Sequence, residues 1–244
     1  MNFPIELLDH LRSARHVAVL TGAGVSAESG IPTFREAQTG LWERYTPEDL
    51  ATPQAFQNNP RLVWEWYVWR AELVALAQSN PGHFALSAMA DQVPKLTLIT
   101  QNVDGLHQAA GSQGVLELHG SLHRYRCSRE GTLVTNWKEV GSIPPRCSAC
   151  SAYLRPDVVW FGESLPQAIL TAAIQAAQDC DTFFSIGTSS LVYPAASLPL
   201  LALEHGAVCI EINPLPTPLT SSVTYHFQGP SGDILPALLQ AAWP

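Results

Sequence analysis

The segment Gly22-Ala23-Gly24-Val25-Ser26-Ala27 follows directly on the apolar stretch His16 to Leu20. A G-x-G-x-x-A run placed after a strand marks a tight strand-to-helix turn, where missing Cβ atoms let backbone amides come close to a pyrophosphate. It points to an α/β sheet with a ligand crevice at the strand ends. The acidic residue that an ordinary dehydrogenase carries about 20 residues further on, at the end of a second strand, has no counterpart here. Glu28 to Asn59 reads instead as a long loop rich in Pro and Gly, and long loops inside compact domains are usually functional.

Apolar runs bounded by turn residues predict strands at His16 to Leu20, Leu96 to Thr100, Val115 to Leu118, Thr182 to Ile186, Val208 to Ile212 and Val223 to Phe227. Helical patterns fall between them at Arg61 to Gln78, His83 to Gln92, Ala168 to Asp179, Ala195 to His205 and Ser231 to Ala241. Ser231-Gly232-Asp233 supplies the N-cap of the last. This alternation predicts a Rossmann-like parallel sheet with helices on both faces. Ser121 to Pro156 interrupts it and carries three of the five cysteines, as a small inserted module would.

The chain has 244 residues, 46% hydrophobic and 14% charged, with 19 prolines and 16 glycines dispersed along it, which suits a globular protein with a sizeable core and excludes a low-complexity one. The net charge of -8 argues against affinity for nucleic acid or anionic membranes and mildly favours a basic, lysine-bearing partner. Met1 to His10 has neither a basic region nor a long apolar run, so a cytoplasmic protein is expected. An odd number of cysteines without an export signal suggests thiols or a metal site before disulfides. Cys180 and Cys209 sit in apolar contexts and read as buried small hydrophobes.

Three further segments place polar side chains at strand ends. Gln101-Asn102-Val103-Asp104 follows the Leu96 to Thr100 run, at the carboxyl end where ligands of open α/β sheets bind, although an Asx-capped turn would look the same. His119-Gly120 ends the Val115 to Leu118 run, and an imidazole presented to a cleft can take a proton near neutral pH, although a lone histidine is often structural. Gly187-Thr188-Ser189-Ser190 and Glu211-Ile212-Asn213 close two more strands.

Gly22 to Arg35, Thr100 to His107 and Glu117 to Gly120 together resemble the cofactor loop, nicotinamide pocket and base-bearing strand of the sirtuins, NAD-dependent protein-lysine deacylases. The likeness extends from about Ala18 to Gly232. It implies a single catalytic unit with a Rossmann-like part over about 1–35, 85–120 and 157–244, and a small zinc-ribbon-like domain from about 36–84 and 121–156. It implies NAD as cofactor, with Gly22, Ala23, Gly24, Thr33, Phe34, Arg35, Gln101, Asn102, Asp104, Gly187, Thr188, Ser189 and Asn213 around it. It also implies attack of the acyl oxygen on the nicotinamide ribose, with His119 as general base on a ribose hydroxyl and O-acyl-ADP-ribose as product. Arg155 to Glu163 resembles the segment that pairs with an extended substrate peptide, with Val159, Phe161 and Gly162 as contacts.

Tyr67 and Arg70, three apart on a predicted helix and so sharing a face, read bottom-up as an arginine snorkelling past aromatic rings. They also resemble the Tyr-x-x-Arg pair of class III sirtuins, which grips the distal carboxylate of succinyl- or malonyl-lysine, and Ala51 is small, as in the roomy pocket of that class. The family's two C-x-x-C pairs are incomplete: Cys147 and Cys150 form one, but Cys127 is followed three residues on by Glu130. A three-thiolate zinc site completed by Glu130 is expected, with His123 the other candidate. The expected protein is a monomer acting on acyl-lysine proteins or peptides, with no nucleic acid and no membrane partner. Mono-ADP-ribosyl transfer and a non-catalytic NAD- or acyl-lysine-binding module are the alternatives.

Overall fold

The computed structural model describes residues 2–32, 44–135 and 142–244. Thr33, Phe34 and Arg35, expected in the cofactor loop, lie outside them.

In chain order the elements are α1 (Ile5–Ser13), β1 (Val17–Thr21), α2 (Gly24–Ala27), α3 (Pro47–Leu50), α4 (Pro53–Asn58), α5 (Pro60–Leu76), α6 (Pro81–Met89), β2 (Leu96–Thr100), α7 (Leu106–Ala109), β3 (Leu116–Glu117), β4 (Gly120–Cys127), β5 (Leu133–Val134), β6 (Leu154–Val158), α8 (Gln167–Asp179), β7 (Thr182–Ile186), α9 (Leu198–Glu204), β8 (Val208–Asn213), β9 (Tyr225–Gln228) and α10 (Ser231–Ala242). Six strands form one parallel sheet in the order β3-β2-β1-β7-β8-β9. The order runs outward in both directions from the β1–β7 pair, which creates a switch point at their carboxyl ends.

Every residue of β1 is buried, because helices cover both faces of the sheet. Val17 and Val19 face a core with Leu7, Leu86 and Leu235 from α1, α6 and α10. Ala18 and Leu20 face the opposite core, with Ala173, Ala177, Leu198 and Ala202 from α8 and α9. The period of two along one strand thus feeds two separate cores.

A second, antiparallel sheet, β5-β4-β6, is built from strands between Gly120 and Val158, slightly beyond the 121–156 expected for the insertion. Trp64 of α5 packs on Tyr125 of β4 with ring centroids 5.2 Å apart, in a cluster with Cys127, Cys147 and Leu154.

Glu28 to Asn59 is not a plain loop, since α3 and α4 lie within it. Thr46 and Asp49 form a capping box, Thr52 Oγ1 accepts the Ala55 amide, and Pro47 and Pro53 open their helices. Proline at a first helical turn gives up only an amide that has no helical partner anyway, so residues that signalled loop here start helices. Ser231 does not cap α10: the residue before that helix is Pro230, and the carboxylate of Glu28 takes the Gly232 amide at 3.0 Å. Ala195 to His205 divides into a 3-10 turn at Ala195–Ser197 and α9, with Pro199 in the first turn of α9.

Candidate active site

The two glycine-bearing turns at the switch point pack directly on each other. A Cβ on Gly22 would come within 2.7 Å of the Gly187 carbonyl oxygen, and one on Gly24 within 2.8 Å of Gly187 Cα. Gly187 itself has φ +60. The Gly22 amide donates to Ile186 O (3.0 Å) and the Gly24 amide to Gly187 O (2.8 Å). These glycines are therefore required by close backbone packing, and their amides are already taken up inside the chain. Ala23, between them, is exposed.

Thr188 links the crevice across the sheet. Gln101 Nε2 donates to its hydroxyl at 2.9 Å, and Asn213 Nδ2 to its carbonyl at 3.1 Å. The ends of β2, β7 and β8 are joined in this way, and Ser189 stands exposed beside them. The Ser190 hydroxyl is buried with no hydrogen-bond partner among the described residues, as a polar group facing a bound ligand would be. Glu211 is turned away from this task, its carboxylate accepting from the hydroxyls of Thr217 and Thr220.

On the other side of β1 lies a buried polar network that the sequence did not reveal. Ser26 Oγ donates to Asp104 Oδ2 at 2.7 Å and accepts from Asn102 Nδ2 at 3.1 Å, while Asp104 Oδ1 takes the Leu106 amide at 2.9 Å. Nδ1 of His83 accepts the Asn80 amide at 3.2 Å, so its proton sits on Nε2, 3.4 Å from Ser26 Oγ. His107 Nε2 lies 2.9 Å from Thr21 Oγ1, which donates onward to Thr100 Oγ1 at 2.8 Å. His107 Nδ1 is buried without a hydrogen-bond partner among the described residues, and burial pushes this imidazole down to about 3. The only pointer in the sequence was the place of Ser26 in the first helical turn after the glycines.

His119 follows β3 with its Nδ1 2.9 Å from the Gln101 carbonyl. A carbonyl only accepts, so Nδ1 carries the proton and Nε2 presents a lone pair, the tautomer a general base needs. Burial lowers the pKa of His119, opposed by that same hydrogen bond.

Tyr67 and Arg70 lie on α5. Tyr67 is buried in the cluster that holds Ala51, Leu106, Val158 and Trp160. Its hydroxyl is pushed up to about 12, by burial against the pull of Arg70. Burial lowers the Arg70 pKa, while Tyr67 and Asp104 favour its charge, so this guanidinium stands within the field of the Asp104 carboxylate. The segment after β6 runs past both regions: the Val159 amide donates to His119 O and the Phe161 amide to Ala51 O, each at 2.9 Å. Phe161 is 54% exposed and so does not belong to the core.

Cys127, Cys147 and Cys150 converge with their sulfur atoms within 4.8 Å of one another. The 3.4 Å between the Cys127 and Cys150 sulfurs approaches the roughly 3.8 Å edge of a tetrahedron with Zn–S bonds of about 2.3 Å, and three thiols form a donor set suited to zinc. Among the described residues no fourth side chain joins them. Glu130 is exposed and offers Cys127 Sγ only its amide, at 3.4 Å. His123 Nε2 instead donates to Asp104 O at 2.7 Å.

The Sir2 family sequence profile matches residues 22–194. The chain is 53% identical to an NAD-dependent protein deacylase of Methylococcus capsulatus, over 99% of this chain and 98% of that one. It is 49% identical to NAD-dependent protein deacylase 1 of Pseudomonas aeruginosa, over 98% of each. Among solved structures, a Sir2 homologue–NAD complex superposes with a TM-score of 0.90 at 44% identity, covering 99% of this chain and 94% of that one. A Sir2–p53 peptide–NAD+ complex gives 0.85 at 31% identity, covering 96% of each. With the switch-point crevice and the polar cluster at its strand ends, these likenesses establish that the chain belongs to the Sir2 family.

Proposed function

We propose that this chain, as a class III sirtuin, uses NAD to remove succinyl, malonyl and acetyl groups from lysine side chains of proteins, giving nicotinamide, O-acyl-ADP-ribose and free lysine. NAD-dependent deacylation follows from the family and from close relatives bearing that name. The observation that carries catalysis is His119, held by Gln101 O in the tautomer whose Nε2 takes a proton.

NAD supplies the ribose carbon at which the acyl oxygen is activated and the hydroxyl that receives the acyl group. Around it, Asn102 and Asp104 hold the nicotinamide end, with Ser26 fixing both side chains. Ala23, Gln101, Thr188, Ser189 and Asn213 line the remainder, with Gly22, Gly24 and Gly187 bringing the two turns together. Thr33, Phe34 and Arg35 complete the site in this proposal.

Acyl selection rests on Tyr67 and Arg70, whose fork suits a bidentate carboxylate. Val159, Phe161 and Gly162 receive the peptide. The amides of Val159, Trp160 and Phe161 already have acceptors inside the chain, which favours carbonyls of this segment as the peptide's partners. Zinc held by Cys127, Cys147 and Cys150 would tie β4 to the loop before β6.

Incubation with NAD and matched acetyl- and succinyl-lysine peptides, following peptide and nicotinamide by mass spectrometry, tests this. Faster succinyl removal is expected. Acetyl removal alone would discard the carboxylate pocket, and no nicotinamide release would discard the enzyme.

A further inference from the structure

Glu163 closes the segment to which the peptide contacts are assigned. Its Oε1 accepts from Arg155 Nη1 at 2.6 Å, and its Oε2 accepts from Arg155 Nη2 at 2.9 Å and from the Trp160 amide at 2.8 Å. Its own amide donates to Trp160 O at 3.0 Å. Arg155 Nη2 also donates to Val158 O at 2.7 Å, and the guanidinium carbon lies 3.3 Å from the centroid of the Trp160 ring. Arg126 brings a second cation to 3.8 Å. Burial would raise the Glu163 carboxyl, but Arg155 and the Trp160 amide outweigh it and hold the group below the usual carboxylate range.

Arg155 is only 6% exposed, so its fork is locked by the carboxylate, a carbonyl and a ring face at once. Three consequences converge on one short segment. Residues 160–163 form a turn closed by the Glu163 amide, with Gly162 at its third position and φ +87, a conformation that favours glycine. Phe161, at the second position, is thrust outward. Trp160 is fixed against Phe56 and Tyr67, at ring centroid distances of 5.2 and 6.2 Å.

We propose that Glu163 is a positioning residue for substrate: through Arg155 and Trp160 it holds residues 159–162 in the shape that an acyl-lysine peptide meets, without touching NAD. This rests on Val159, Phe161 and Gly162 contacting the peptide. A residue that merely stabilised the fold would reduce the amount of active enzyme, and so apparent kcat, without separating the two substrates, whereas a positioning residue raises KM for the peptide and not for NAD.

Steady-state kinetics of the full chain with NAD and a succinyl-lysine peptide, on Glu163→Gln, Arg155→Lys and Phe161→Ala, make the test. Glu163→Gln should raise peptide KM roughly tenfold, with NAD KM and kcat at saturating peptide changed less than about twofold. Arg155→Lys keeps the buried charge but loses the fork and should show the same split. It decides the matter alone if the glutamine variant does not fold. If these variants leave peptide KM unchanged, or raise both KM values together, while Phe161→Ala raises peptide KM, positioning by Glu163 is wrong and the peptide contacts stand. If Phe161→Ala also leaves peptide KM unchanged, the contacts themselves are misassigned and the proposal falls with them.

Discussion

The imidazole of His119 and the backbone carbonyl of Gln101 are joined at 2.9 Å, so the strand end that carries Gln101, Asn102 and Asp104 also sets the tautomer of His119. Burial lowers the His119 pKa from its ordinary value of 6.5, so the neutral form persists as pH falls through 6.5. The acid limb of kcat/KM should therefore lie below pH 6.5, and a limb above it would contradict the assignment. His119→Tyr should lose turnover at every pH while retaining the fold, as thermal melting and NAD titration would report.

Arg70 stands with Tyr67 on α5, and its charge is favoured by Tyr67 and Asp104 against burial. If Arg70 holds the distal carboxylate as proposed, removing its charge takes away a charge-assisted contact that acetyl-lysine cannot make. Arg70→Met should lower kcat/KM for a succinyl peptide roughly 100-fold and that for an acetyl peptide only a few-fold, on the order of 2–3 kcal/mol of difference. Equal losses would assign Arg70 to packing.

The sheet was legible because its strands are short, continuous apolar runs with turn residues at their carboxyl ends, the pattern of strands buried on both faces. The capped helices α3 and α4 were not, because Pro47 and Pro53 act through position within a turn rather than composition. Gly22 and Gly24 were found for an incomplete reason. Their pattern signalled a crevice, but what forbids a side chain is Gly187, more than 160 residues away in the chain. The Ser26–Asp104 bond and the Glu163–Arg155 fork are likewise tertiary relations that no local pattern encodes.

His83 and His107, ring centroids 4.8 Å apart, are buried in neutral form beneath Asp104. Burial lowers both, that of His107 to about 3. Below pH 6.5 the unfolded chain binds protons that the folded chain refuses, so stability is complete above that value and declines as pH falls toward 3. Each such histidine contributes a slope of about 1.4 kcal/mol per pH unit within its own window. Urea melts between pH 7 and 4.5 should show this loss, and His107→Gln should flatten it even if it lowers stability at pH 7.

Cys150 and Cys127 have sulfurs 3.4 Å apart beside Cys147, whereas Cys180 is a buried thiol pushed up to about 12, chiefly by burial. The purified chain should carry about one zinc, with structural sites adding directly to folding free energy. Cys150→Ser should lose the metal and lower Tm, and Cys180→Ser should keep it. A metal content well below one in the parent chain would refute the site.

Glu28 lies just after α2, yet its carboxylate serves α10, more than 200 residues later, taking the Gly232 amide at 3.0 Å and facing the Ser231 hydroxyl at 3.4 Å. A helix begins with amides that have no partner in the helix, and a carboxylate there both accepts from them and meets the positive end of the dipole. Because Pro230 provides no side-chain cap, Glu28 does for α10 what a local Ser or Asp usually does. From the other side, Asn80 Nδ2 donates to Val25 O at 2.7 Å and to Ser29 Oγ at 3.0 Å, so the stretch after the glycines is held at both ends by distant residues. Glu28→Ala should cost about 1 kcal/mol of stability, the usual worth of a lost cap, and Glu28→Gln less, since its amide oxygen still accepts. If α10 also holds that stretch in place for NAD, Glu28→Ala should raise NAD KM more than peptide KM, the reverse of the split expected for Glu163→Gln. Equal changes in both would leave Glu28 a helix cap and nothing more.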